Sequence, residues 1–163
     1  MKKSSLHSCN VLALAPEGHL LWQFHGGDEQ LKLETEQTLP ARQPLPQKSV
    51  GKDWRSLWQR KLNIGWLPAE QIFLRVIHLP ASDLAETLSM VEFQLEKLSP
   101  LPVAQIVWSI EVLPHHAENL QTVLVILAAR SLIEQFLGRL ESAGYLPDRL
   151  ELPCLHQLLS TRF

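Results

Sequence analysis

Seven histidines and two cysteines are where metal or nucleophilic chemistry in this chain would have to start. His115-His116 falls in a polar stretch, Pro114 to Glu118, that reads as a turn. Adjacent side chains diverge in a turn, and a zinc site there would need further ligands that the neighbouring sequence does not offer. Cys154-x-His156 is a single ligand pair without the second pair that a closed tetrahedral site requires. His78 lies on an apolar run and reads as a packed or edge residue. Cys9 has only His7 near it in sequence, and Ser131 reads as a helix cap rather than a nucleophile. Cys9 and Cys154 sit at opposite ends of the chain, and a reduced cytosolic pair is the default over a disulfide.

Phosphate chemistry fares no better. The sequence contains no Walker A loop, GxGxxG, HExxH or GxSxG pattern. Gly26-Gly27 is the one glycine pair, and no helix follows it closely enough to cradle a phosphate. The carboxylates are scattered over helix exteriors. The expectation is therefore no catalytic residue, no metal site and no cofactor. A different kind of site is carried by Trp54, Trp58 and Leu62, spaced four apart in a segment that reads as a helix from Asp53 through Leu62. Such a face either packs its helix onto a sheet or forms a patch for a partner, since tryptophan is enriched at interaction hot spots. These three are the candidate partner-binding residues.

Composition narrows the classes. The 163 residues are 45% hydrophobic and 20% charged, the balance of a folded globular chain. A net charge of -2 and a pI near 6.4 provide no basic field for nucleic acid. Lys48, Lys52, Arg55, Arg60 and Lys61 are close in sequence, and read as a solvated face. No apolar run approaches the roughly 18–20 residues that span a bilayer. The apolar stretch Val11 to Ala15 is too short for a signal peptide and is broken by Pro16-Glu17. The chain is thus expected in the cytoplasm, meeting the membrane only through a partner.

The elements that must position these residues follow from periodicity. Asn10 to Ala15 and Leu20 to His25 are β-rich runs around a turn at Pro16-Glu17-Gly18-His19, which predicts a hairpin. Gln30 to Leu39 alternates, with Leu31, Leu33 and, less cleanly, Thr35 on one side. Pro40 to Lys52, with three prolines, reads as an exposed connector. Gln71 to Leu79 is a strand ended by Pro80, and Asp83-Leu84-Ala85-Glu86 opens a helix. Leu84, Leu88, Val91, Leu95 and Leu98 predict its buried stripe. Val103 to Leu113 alternates as a strand. Thr122 to Ala129 is almost wholly apolar, which predicts a central strand covered on both faces. Ser131-Leu132-Ile133-Glu134 reads as a capping box for a helix ending at Gly144, and Arg149 to Leu152 as a short last strand. The result is an α+β fold in which a strand–helix–strand–strand–helix–strand unit, ferredoxin-like in the split βαβ manner, follows an N-terminal β-hairpin plus strand. A single sheet with both helices on one face is expected, and two domains, 1–66 and 67–163.

Three runs resemble a known family: Leu74 to Ala81, closing in Leu79-Pro80; Val91 to Pro102; and Val107 to Leu113. With Ala128-Ala129-Arg130 and Ala143-Gly144-Tyr145-Leu146-Pro147, they are similar to the actin-like assembly proteins of type IV pili and type II secretion, namely PilM and the cytoplasmic GspL-like domains. The resemblance covers about Leu67 to Leu159. It implies an SHS2-type insert and, with the N-terminal strands, half of an actin-like domain in truncated form. The phosphate-binding hairpin turn of nucleotide-binding members would fall at Ala15-Pro16-Glu17-Gly18-His19. Its aspartate and hydroxyl residue are absent there, and proline removes an amide donor.

What the resemblance implies is a non-catalytic adaptor or scaffold at the inner membrane. Its partners would be the tail of an inner-membrane protein, an assembly ATPase, or both. Homodimer formation stays open, and no nucleic acid is involved. The alternatives from other classes are a free-standing ferredoxin-like ligand-binding or regulatory domain, and an enzyme whose site forms only in three dimensions.

Overall fold

A computed structural model of the chain describes residues 7–27, 30–41, 43–52, 61–117 and 119–155. In chain order the elements are β1 (Ser8–Ala15), β2 (Gly18–Gly27), β3 (Gln30–Pro40), α1 (Gln47–Val50), β4 (Lys61–Trp66), β5 (Ile72–Pro80), α2 (Leu84–Glu92), α3 (Leu95–Leu98), β6 (Ile106–Ala117), β7 (Leu120–Ala129), α4 (Arg130–Ser142) and β8 (Arg149–Glu151). The architecture is α+β, with two sheets of order β3-β2-β1-β4-β8 and β5-β7-β6. Among the described residues, a first compact unit takes the chain as far as Leu67 and again from Phe136, and a second takes Pro68–Gln135.

In the first unit the hairpin is tight: Ala15 pairs with Gly18 across Pro16-Glu17. Gly18 is required by packing, because a Cβ there would stand 2.6 Å from the Leu39 carbonyl oxygen. β1 pairs antiparallel with β2 and parallel with β4, so it lies at the centre of its sheet. A register shift at Gln23/Phe24 interrupts the β2–β3 ladder. The bulge turns Thr35 away from the side of Leu31 and Leu33, so the expected single alternation through Thr35 does not hold.

One face of this sheet carries the main core: Leu12, Leu21 and Leu39 from the strands, Phe136 and Leu140 from α4, and Tyr145 beyond it. Each such burial contributes about 1.5–3 kcal/mol before entropy is subtracted. Leu45 and Val50 join this core, so the proline-rich stretch is no exposed connector and includes the helical turn α1. β4 occupies Lys61–Trp66, so Leu62 is a strand residue and not the end of a helix. The period-two pattern Leu62, Ile64, Trp66 decides this over the four-residue spacing from Trp54. Gly65 faces α4, and a Cβ there would meet Leu140 Cδ1 and Leu150 Cδ2 at 3.0 Å and Phe136 Cε1 at 3.4 Å. Gly65→Val is expected to overpack this contact and destabilise the unit by about 1–3 kcal/mol, read as a lower urea midpoint.

The second unit has β7 at its centre, as the unbroken apolar run predicts. Val123, Val125 and Leu127 of β7 pack with Val91 and Leu95 of α2 and α3. The helix predicted from Leu84 to Leu98 is interrupted at Phe93-Gln94. Its buried row is Thr87, Val91 and Leu95, with Leu98 partly covered, while Leu84 and Leu88 are exposed. A polar cluster sets this rotation: Gln121 Nε2 donates to Thr87 Oγ1 at 2.7 Å and to Ser82 Oγ at 3.2 Å, and Thr87 Oγ1 donates to the Asp83 carbonyl at 2.7 Å. Asp83 does cap α2, accepting from the Glu86 amide at 2.9 Å.

Three further expectations change. α4 starts at Arg130, which places Ser131 inside the first turn rather than at the N-cap. β6 runs on to Ala117 with a register shift at Leu113/His116, so His115-His116 lies in a strand. The tight turn falls at Asn119, with φ of 60° in the left-handed region that asparagine tolerates. Finally, β8 pairs parallel with β4 and not with β5, β6 or β7, so the six elements of the unit do not share one sheet. Asp148 fixes the start of β8, its amide donating to the Asn63 carbonyl at 2.7 Å and its Oδ2 accepting from the Asn63 amide at 2.8 Å.

Candidate functional site

Of the three candidate partner-binding residues, Trp54 and Trp58 lie outside the described residues. Leu62 is described, half-buried on the sheet face opposite the main core. The pairing register builds that face in rows: Leu33, Phe24, Cys9 and Leu62 form one, and Trp22, Val11 and Ile64 the next. Trp66 pairs with Ala13 in the third row. The small Ala13 side chain leaves room for Trp22 and Trp66 to lean together, with ring centroids 4.7 Å apart and planes tilted by 46°. Cys9, Val11 and Ile64 are buried at the centre. Toward β3 the face opens, and Leu31 and Leu33 are 42% and 52% exposed. The surface is apolar and aromatic, fit for holding another apolar surface, and among its described residues the Cys9 thiol is the one reactive group. Burial pushes that thiol's pKa up, with the charge of Glu151 adding to the effect, which keeps the sulfur protonated and unreactive. Sequence spacing singles out Leu62 but not Trp22, Trp66 and Leu33, which only the strand register brings beside it.

The other side of the same strands carries the polar groups. Asn10 Nδ2 donates to Asn63 Oδ1 at 2.8 Å and to the Ser49 carbonyl at 3.1 Å. Asn63 Nδ2 donates to the carbonyls of Val50 at 2.8 Å and Leu146 at 3.2 Å. Lys61 Nζ donates to the Gly51 carbonyl at 2.9 Å, and Lys52 pairs with Asp148. The carbonyls that the short helix α1 leaves without intrahelical partners are satisfied in this way. Gln23 Nε2 donates to Asn10 Oδ1 at 3.3 Å and Thr35 Oγ1 to Gln23 Oε1 at 2.8 Å, extending the chain across the sheet. Tyr145 shares its one hydroxyl hydrogen between the carbonyls of Asn10 and Ile64, each at 2.9 Å. Burial is the main reason its pKa is pushed far up, and the neighbouring Cys9 adds to it. Every member has a partner within the protein, so the network's role is to lock strands and connector together.

For the remaining candidates, His78 is exposed on β5 and its Nδ1 lies 3.3 Å from Thr122 Oγ1. Cys154 is a free cysteine, and its sequence neighbour His156 lies outside the described residues. His19, at the first hairpin, is buried with Nδ1 unpartnered. Among the described residues no three His, Cys, Asp or Glu side chains converge as a metal cluster. No helix among them is long and apolar enough to cross a membrane.

No family model and no curated protein matches the sequence. Solved structures do match. The PilM-PilN type IV pilus biogenesis complex aligns with a TM-score of 0.68 at 20% identity, covering 92% of this chain and 48% of the other. The cytoplasmic domain of EpsL, an inner-membrane component of the type II secretion system of Vibrio cholerae, aligns with a TM-score of 0.53 at 14% identity, covering 90% of this chain and 57% of the other. The chain thus spans about half the length of each of these two structures. The fold expected from the residue resemblance is the one these two structures share with the chain over about nine-tenths of its length.

Proposed function

From a fold shared with a pilus-assembly protein and a secretion-system component, we propose that this chain is a non-catalytic adaptor in the assembly of a type IV pilus or type II secretion apparatus. The observation that carries the reading is the extent of the likeness: nine-tenths of the chain follows structures from both machines. It works in the cytoplasm, reaching the inner membrane through its partners: the tail of a membrane protein, an assembly ATPase, or both. The aromatic sheet face that contains Leu62, with its open margin at Leu31 and Leu33, is the surface for one of them. The hairpin turn Ala15-Pro16-Glu17-Gly18-His19 carries no aspartate and no hydroxyl residue, and Pro16 has no amide hydrogen to donate to a phosphate, which supports a fold used for docking rather than for nucleotide.

The test is a binding assay of the chain against cytoplasmic tails of inner-membrane pilus and secretion proteins and against their assembly ATPases. One of these is expected to bind, and Leu33→Glu to weaken it at least ~10-fold, because a charge would be carried into an apolar contact. Leu33 is exposed, so the variant should keep the wild-type fold by circular dichroism. Binding to none of these partners would overturn the adaptor reading. Wild-type affinity in Leu33→Glu would move the contact to another surface, and saturable ATP binding would remove the docking-only reading.

A further inference from the structure

Long strands at sheet edges invite pairing, and folded proteins blunt them with prolines, bulges, charges or brevity. Among the described strands, three of the four edges are blunted. β3 has the register shift at Gln23/Phe24 and the charges Lys32, Glu34 and Glu36. β6 has Pro114 and its own register shift, and β8 is three residues long. β5 has only the single charge of Arg75, whose Nη1 donates to the exposed Leu74 carbonyl at 3.0 Å and must release it for a strand to pair there. It pairs with β7 through nine residues in unbroken register, its proline falls only at the last of them, and it forms the edge of its sheet. Its middle is exposed on both sides: Leu74 (39%), Val76 (59%) and His78 on one, Arg75 on the other.

We infer that the outer edge of β5 pairs antiparallel with the β5 edge of a second copy of this chain, centred on Val76, joining two three-stranded sheets into one of six. The strand is self-complementary in that register and in no adjacent one. A two-fold axis perpendicular to the sheet must place each residue on the same face as its copy, so the centre can move only by whole residues. Centred on Val76, the midpoint of Ile72–Pro80, all nine residues overlap. Leu74 then lies opposite the second copy's His78, Arg75 opposite its Ile77, and Val76 opposite Val76. The exposed apolar side chains merge into one stripe, and no like charges are directly opposed. The two Arg75 side chains fall on a diagonal, about 7–8 Å apart, from which both guanidinium groups reach water. Centred on Arg75, the arginines would be opposed, which is unfavourable. Centred on Ile77, the overlap shrinks from both ends. An edge-to-edge contact of this size falls in the small, weakly associating class, so a reversible dimer is expected. This inference does not depend on the adaptor reading.

Sedimentation velocity of the 163-residue chain over a concentration series tests it. A monomer–dimer equilibrium is expected, with Val76→Lys shifting its midpoint at least ~10-fold upward by opposing two ammonium groups on the axis. Val76→Cys supplies an independent measurement should the lysine variant fold poorly. Mild oxidation should link the thiol introduced by Val76→Cys to the same thiol of the second copy, identified by peptide mass. Glu86→Cys, at an exposed helix position, should form no such symmetric link. A chain that stays monomeric throughout, a dimer indifferent to Val76→Lys, or oxidation that bypasses the thiol of Val76→Cys would each overturn the inference. Pairing of this edge with a different protein's strand would appear as the first of these outcomes.

Discussion

Asn63→Ala is expected to destabilise the first unit by about 3–5 kcal/mol, far more than its lost volume would cost. The substitution strips donors from the Val50 and Leu146 carbonyls and leaves one Asn10 Nδ2 hydrogen without its acceptor. Each buried group so orphaned costs about 1–3 kcal/mol. Asn63 is fully buried, so water cannot step in without opening the core. Urea unfolding followed by tryptophan fluorescence would show the loss as a lower midpoint at unchanged slope. Thr35→Ala, at the outer end of the same network, loses one bond and should cost about 1 kcal/mol. A stability within about 0.5 kcal/mol of wild type for Asn63→Ala would mean that the network does not hold the connector to the sheet.

The second large effect is at high pH. Tyr145 is the one tyrosine of the chain, fully buried, with its pKa raised chiefly by burial. In the unfolded chain it ionises near its ordinary value of about 10. A group whose pKa is raised in the folded state contributes stability that is intact below the unfolded value and lost as pH rises above it. Stability should therefore fall above about pH 10 by about 1.4 kcal/mol per pH unit from Tyr145 alone. Cys9, also raised by burial, begins the decline about one unit lower. Because there is a single tyrosine, phenolate absorbance reports this group without ambiguity. It should appear together with loss of the far-ultraviolet signal, in one transition. Phenolate appearing near pH 10 with the fold intact would place the hydroxyl in water and contradict its bonds to Asn10 and Ile64. Tyr145→Phe should be less stable at neutral pH, by about 1–3 kcal/mol, and lose the part of the alkaline decline that begins at pH 10.

Local signals carried most of the elements. The hairpin around Pro16-Glu17, the strand ended by Pro80, the Asp83 cap and the apolar strand β7 were all readable, because each depends on residues next to one another in the chain. What failed depended on distant partners. Leu84 and Leu88 fit a helical stripe as well as Thr87 does, and only the donor from Gln121, thirty-four residues on, turns Thr87 inward. Thr35 changes sides through a bulge that has no letter of its own. Leu62 completes a four-residue spacing with Trp58, yet alternation from Leu62 to Trp66 and pairing with β1 put it in a strand. The aromatic surface around it was unreadable for the same reason, since Trp22 and Trp66 are 44 positions apart and meet only through register.

The parallel pairing of β8 with β4 sets an order of events during synthesis. Ile64 waits for Arg149, and the first sheet cannot gain its last strand until the 84 residues between them have been made. All the strands of the second unit leave the ribosome in that interval, and each of their pairings is antiparallel and among themselves. That unit can therefore mature first. Throughout the wait the nascent β1–β4 sheet has neither Phe136, Leu140 nor Tyr145 over Leu12 and Leu21. A stalled or prematurely ended chain would thus present a bare apolar face and an unpaired β4 edge, and these are what a chaperone would meet first.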